Sequence, residues 1–65
     1  MSVLQFTLEA CRINKKLTQE QAGELIGVHV STIKSWESGR TYPNQPQIEK
    51  ICEVYGVSYD NIIFN

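Results

Sequence analysis

Residues 18–39, TQEQAGELIGVHVSTIKSWESG, constrain the fold of this chain more than any other stretch. They spell two short helices joined by a turn too tight to let them run side by side. Thr18 followed by Gln21 has the spacing of a capping box: the threonine oxygen accepts from an orphan helical N–H while the glutamine reaches back. Ala22, Leu25 and Ile26 then recur at helical spacing on one face. Gly27 ends the helix, because a left-handed residue at that place is cheapest without a Cβ. Val28 follows as a buried turn residue, and Ile33 and Trp36 carry the inner face of the second helix. Helices joined so shortly must cross steeply, and the outer face of the second projects from the surface.

The rest of the chain supplies the support for that pair. Sixty-five residues allow a single domain over 1–65, and a chain so short buries only about 60% of its unfolded surface. With 42% apolar residues and no low-complexity stretch, it is a folding sequence rather than a disordered one. Helix 1 is expected from about Val3 to Lys15, capped by Ser2 with Gln5 in the box position and with Leu4, Leu8 and Cys11 inward. Leu17 staples the loop onto helix 2, which covers about Thr18 to Ile26, and helix 3 spans about Val30 to Ser38 with Gly39 closing it. Asn44 caps helix 4, about Gln45 to Tyr55, with Pro46 in the first turn, Gln47 in the box position and Ile48, Ile51, Cys52 and Tyr55 as its stripe. After Gly56, Ser58 is expected to cap a final turn through Ile62 and Ile63. The aromatic and β-branched residues of that tail would equally suit a short strand, and Ser58 with Asp60 favours helix. The expected fold class is therefore all-α, a compact five-helix domain.

Charge and cysteine content narrow the function classes. The formal net charge of −1 gives no global basic signature. Its distribution is uneven, with Lys15, Lys16, Lys34 and Arg40 around residues 18–39 and Glu49, Glu53 and Asp60 toward the C-terminus, so one face can be steered toward phosphate. No apolar run approaches the roughly 20 residues needed to cross a bilayer, and no signal peptide is visible, so a cytoplasmic location away from membranes is expected. Cys11 and Cys52 each fall on an apolar helical face, as small core residues kept reduced. Together with His29 they have no ligand spacing, so no metal and no cofactor are expected. No nucleophile–base pair or Gly-rich phosphate loop occurs either, and no enzymatic activity is expected.

A helix-turn-helix of this kind is the arrangement that places its second helix in the DNA major groove. The chain also resembles a known family, the lambda-type phage repressor and Cro proteins, or xenobiotic-response-element regulators. The resemblance spans Leu8 to Ile63 and is carried by Arg12, Leu17-Thr18-Gln19, Ala22 to Gly27, Ile33, Trp36-Glu37, Gly39, Pro43 and the stripe Ile48, Ile51, Cys52. It implies a lambda-repressor-like domain with the helix-turn-helix at helices 2 and 3. Two positions depart from the family pattern. Gly23 stands where alanine is usual, at a cost of up to about 1 kcal/mol in a helix interior. His29 stands where serine or threonine usually caps the recognition helix, which predicts a weaker cap and an unusual side chain near DNA.

The outward residues at the start of helix 3 and one turn on are His29, Val30, Ser31, Lys34 and Ser35. In proteins this one looks like, these positions face base edges: Lys34 toward guanine, Ser31 and Ser35 toward several bases, Val30 toward a thymine methyl. The resemblance gives Gln19 a phosphate contact at the start of helix 2, often with a second role bracing the recognition helix. Thr18, Ser38, Arg40, Thr41 and Tyr42 are the other expected phosphate contacts, Tyr42 with packing on Pro43 as the alternative. Arg12 and Glu37 are implied to form a partly buried ion pair between helices 1 and 3.

The expected function is sequence-specific recognition of double-stranded DNA by a transcriptional regulator, Cro-like or repressor-like, of phage or bacterial origin. A homodimer, at least on DNA, would set two recognition helices about 34 Å apart on a near-palindromic operator, with no small-molecule ligand. Ile63 and Phe64 are the candidate dimer interface, since helical periodicity cannot bury both beside Ile62. The competing class is an antitoxin-like or accessory protein-interaction module, supported by the modest number of cations placed to meet phosphate.

Overall fold

The computed structural model describes residues 5–64. Its elements follow as β1 (Phe6–Thr7), α1 (Leu8–Asn14), α2 (Gln19–Ile26), α3 (Val30–Glu37), α4 (Gln45–Tyr55), a 3-10 turn (Tyr59–Asn61) and β2 (Ile62–Ile63). α2 packs against both α3 and α4, while α1 lies against α3 and the strand pair.

The two chain ends correct the all-α, five-helix expectation. Thr7, not Ser2, caps α1: its Oγ1 accepts from the Ala10 N–H at 3.1 Å. Ser2 and Leu4 lie outside the described residues, and Gln5 precedes the helix. Phe6 and Thr7 pair in parallel with Ile62 and Ile63, so the tail is a short strand after a single 3-10 turn rather than a helix. Aromatic and β-branched residues suit extended backbone, and each two-residue strand is stable only because the other supplies its hydrogen-bond partners. The pairing joins positions more than fifty residues apart.

Between the ends the capping chemistry follows the sequence. Thr18 Oγ1 accepts from the Gln21 N–H at 3.0 Å while Gln21 Oε1 accepts from the Thr18 N–H at 2.9 Å, and Asn44 and Gln47 make the same reciprocal pair at 2.9 and 2.8 Å. Gly27 closes α2 with φ 91°. The close of α1 falls to a residue with a side chain: Lys16 takes φ 59°, with Leu17 N–H bonded to Arg12 O and Lys16 N–H to Ile13 O.

Leu8, Cys11, Ala22, Ile26, Ile33, Trp36, Ile51, Tyr55 and Ile62 form the core, flanked by Leu17, Val28, Cys52 and Val57. Leu25, expected inward, is 53% exposed. At about 100° per residue, Ile26 lies about 40° and Gly23 about 100° from Ala22 in the same sense, whereas Leu25 lies about 60° the other way. The buried arc of α2 is Ala22, Ile26 and Gly23, which leaves Leu25 at the surface. Gly23 is there for clearance, since a Cβ at that position would stand 2.7 Å from the Val28 carbonyl oxygen. Burial, with the Glu37 charge adding to it, pushes the Tyr55 phenol up to about 12.

One ion pair lies at the edge of this core. The Arg12 side chain is 10% exposed and that of Glu37 7%. Arg12 Nε donates to Glu37 Oε2 at 2.7 Å, Nη2 donates to Glu37 Oε1 at 3.2 Å, and Nη1 donates to the Leu17 carbonyl at 2.8 Å. Gln19 Nε2 donates to Glu37 Oε1 at 3.0 Å. Four segments thus meet at one carboxylate and one guanidinium: α1, the loop after it, the start of α2 and the end of α3.

Arg12→Ala and Glu37→Ala should each lower stability by about 3 kcal/mol in urea unfolding, because each strands the other charge. The double variant should lose clearly less than the sum, and strict additivity would refute the coupling. Gly23→Ala should lower the urea midpoint, although helix propensity alone favours alanine by about 1 kcal/mol, because the added Cβ meets backbone and overpacking costs about 1–3 kcal/mol. A raised midpoint would show that the α2–α3 turn can yield.

Candidate nucleic-acid interface

Helix α3 has a sharp division of labour around its axis. Ile33 and Trp36 are buried, 1% and 6% exposed, and the Glu37 side chain turns to Arg12. On the opposite side His29, Ser31 and Lys34 are exposed, while Val30 and Ser35 are half-buried. Ser31, Lys34, Ser35, Ser38 and Arg40 line one shallow concavity. The structure therefore brings most of the sequence-predicted α3 residues onto one continuous outer surface.

The hydroxyls on that surface are already oriented. Ser35 Oγ and Thr41 Oγ1 share a hydrogen bond at 2.8 Å, and the Arg40 and Thr41 N–H groups both donate to the Ser35 carbonyl, at 3.0 and 3.4 Å. The chain that leaves α3 through Gly39, φ 79°, is thereby folded back beside it. The Ser38 hydroxyl donates to the same carbonyl at 3.0 Å. A phosphate oxygen only accepts, so Ser38 would have to give up this bond to meet one.

His29 departs from the expected weak cap. Its Nδ1 accepts from the Ser31 N–H at 3.1 Å and lies 2.9 Å from Ser31 Oγ, so the imidazole does the work of a capping serine. A His-x-Ser spacing at a helix start is a local signal that the sequence contained. The Ser35–Thr41 bond had none, since it depends on the return of the chain after Gly39.

Outside α3 the expected phosphate residues scatter in role. Thr18 is exposed with its oxygen in the capping box, and the Gln19 side chain is half-buried and bonded to Glu37. Tyr42, 59% exposed, flanks the buried Pro43 in a groove shared with Ile48, Tyr59 and Phe64. Among the cations, neither Lys34 nor Arg40 enters an ion pair among the described residues. The Lys15 ammonium instead lies over Gly56, at the C-terminal end of α4, where the helix carbonyls favour a cation.

Among the described residues no helix is long and apolar enough to cross a membrane, and no group of His, Cys, Asp and Glu could hold a metal ion. No solved structure matches the chain. A curated relative, the HTH-type transcriptional activator BcrR of Enterococcus faecalis, is 38% identical over 56 residues, which are 86% of this chain. The chain matches only 28% of that protein's length. The helix-turn-helix family profile matches residues 8–62, the span that holds α1 to α4 and the approach to β2. The chain belongs to the Cro/C1-type helix-turn-helix family.

Proposed function

We propose that the chain is a sequence-specific double-stranded DNA-binding transcriptional regulator that inserts α3 into the major groove. The observation that carries this reading is the division of α3: its inner side is anchored by Ile33, Trp36 and the Glu37 carboxylate, and its outer side presents Ser31 and Lys34 exposed with Ser35 half-buried beside them. Membership of the helix-turn-helix family supports the same reading. Lys34 donates to base acceptors and Val30 offers a methyl surface. Arg40 and the Thr41 hydroxyl meet the phosphates beside the groove. Gln19 acts through Glu37, holding α3 at its angle to α2. Regulation follows from occupancy of the operator, and its sign from where the operator lies relative to a promoter.

A single small module with few cations binds one half-site too weakly to find it in competing genomic sequence. Dimerisation on a near-palindromic operator accordingly belongs to the proposal. Along β2 the side chains alternate: Ile62 is 6% exposed, Ile63 is 41% exposed, and Phe64 turns back with its ring 5.8 Å from that of Tyr59. Ile63 is therefore the stronger interface candidate of the two residues expected from the sequence, and Phe64 is partly occupied with closing the core.

In gel shifts and site selection from random duplexes, Lys34→Ala should relax base preference at a defined operator position at a cost of about 1–3 kcal/mol. Arg40→Ala should weaken all sequences alike and lower the salt slope by about one. No retardation of any duplex at low salt would overturn the DNA-binding reading in favour of a protein-interaction module. Ile63→Asp should leave the helical circular dichroism in place and abolish the two-to-one complex on a full operator in sedimentation. Unchanged stoichiometry would move the interface elsewhere.

A further inference from the structure

The cap of α3 fixes a proton. His29 Nδ1 has one in-plane lone pair, and the Ser31 backbone N–H directed at it from 3.1 Å can only donate. Nδ1 is therefore unprotonated, and the proton of the neutral ring resides on Nε2. Ser31 Oγ lies 2.9 Å from the same Nδ1. An unprotonated nitrogen accepts, so the hydroxyl donates its hydrogen there as well, sharing the one lone pair with the backbone N–H in a three-centre bond, and keeps its oxygen lone pairs for other partners. Both residues are exposed on the outer side of α3.

We propose that His29 and Ser31 act as a polarity-locked pair that determines specificity, His29 presenting a fixed Nε2–H donor and Ser31 a fixed acceptor to the base edges. The inference rests on the DNA-binding reading above and goes beyond it in assigning the direction of each hydrogen bond. A histidine free at both nitrogens can rotate or change tautomer to suit a donor or an acceptor, and a free serine hydroxyl likewise. Here either change removes a bond that holds the first turn of α3. His29 thus reads purine N7, guanine O6 or thymine O4, and Ser31 reads the amino group of adenine or cytosine. An adenine edge offers an acceptor and an amino group together, whereas a guanine edge offers acceptors alone.

Three measurements on the full chain test this. Nitrogen-15 spectra of the neutral His29 ring in the free protein should show it protonated at Nε2. A protonated Nδ1 overturns the proposal. Site selection then compares the parent with His29→Ser, which keeps a capping oxygen but places it too near the backbone to reach where Nε2 reaches, and with Ser31→Ala. His29→Ser should melt no lower than the parent, lose base preference at one operator position and bind the parental site about ten-fold more weakly. Ser31→Ala should relax a position at or next to it. On adding the selected duplex to the parent, the Nε2 proton should become protected from exchange. Selection of the same site with equal affinity by His29→Ser overturns this inference alone. A parent that selects no sequence overturns the DNA-binding reading and this inference with it.

Discussion

The structure depends on a guanidinium and a carboxylate that share the edge of a very small core. Arg12 and Glu37 are twenty-five residues apart in sequence and 2.7 Å apart in space. Removing two charges from water is costly, and their attraction offsets that cost only when geometry is good and the remaining donors are satisfied. Those conditions hold here: Nε and Nη2 go to the two carboxylate oxygens and Nη1 to the Leu17 carbonyl, and Gln19 adds a further donor to Glu37. A planar fork of donors admits few orientations. The pair therefore contributes orientation as much as stability, and what it orients is the last turn of α3 against α1 and the start of α2.

That constraint links packing to the outer surface. A helix of eight residues has little intrinsic stability in water. α3 exists because Ile33 and Trp36 are buried on one side and because both its ends are tied, by the His29 imidazole at the start and by Glu37 and the Ser38 cap at the close. Local bonds of Ser31 to His29, and of Ser35 to Thr41 and Ser38, spread the same order onto the exposed side. Hydrogen-bonding groups held in place before a partner arrives lose less entropy on binding. Gly23 has an equivalent part on the other helix: without a Cβ it lets the Val28 carbonyl approach, and that approach sets how closely α2 and α3 cross.

Much of this was legible because it is local. The capping boxes at Thr18–Gln21 and Asn44–Gln47, the left-handed glycines and the inward Ile33 and Trp36 are short-range matters of spacing and φ, and α4 occupies the bounds its caps predict. The α3 surface could be read from the same periodicity, since whatever is not inward on an amphipathic helix is outward. Leu25 was misread because three apolar residues at helical spacing do not say on which side of Ala22 the neighbouring helices lie. Phe6, Thr7, Ile62 and Ile63 were misread because a two-residue strand has no periodicity to display and acquires its state from its partner.

The amino-acid sequence by itself determined where α2, α3 and α4 begin and end, where their apolar residues recur and which residues could face a groove, because those properties are decided within a turn or two of backbone. Only the tertiary structure decided which side of α2 is buried and that the two ends of the described chain meet as a parallel pair. It also decided that Gln19 turns to Glu37 and that Ser35 holds Thr41. Those outcomes depend on contacts between segments distant in sequence. Such contacts form only when several helices have buried their apolar faces together, so no single window of residues contains them.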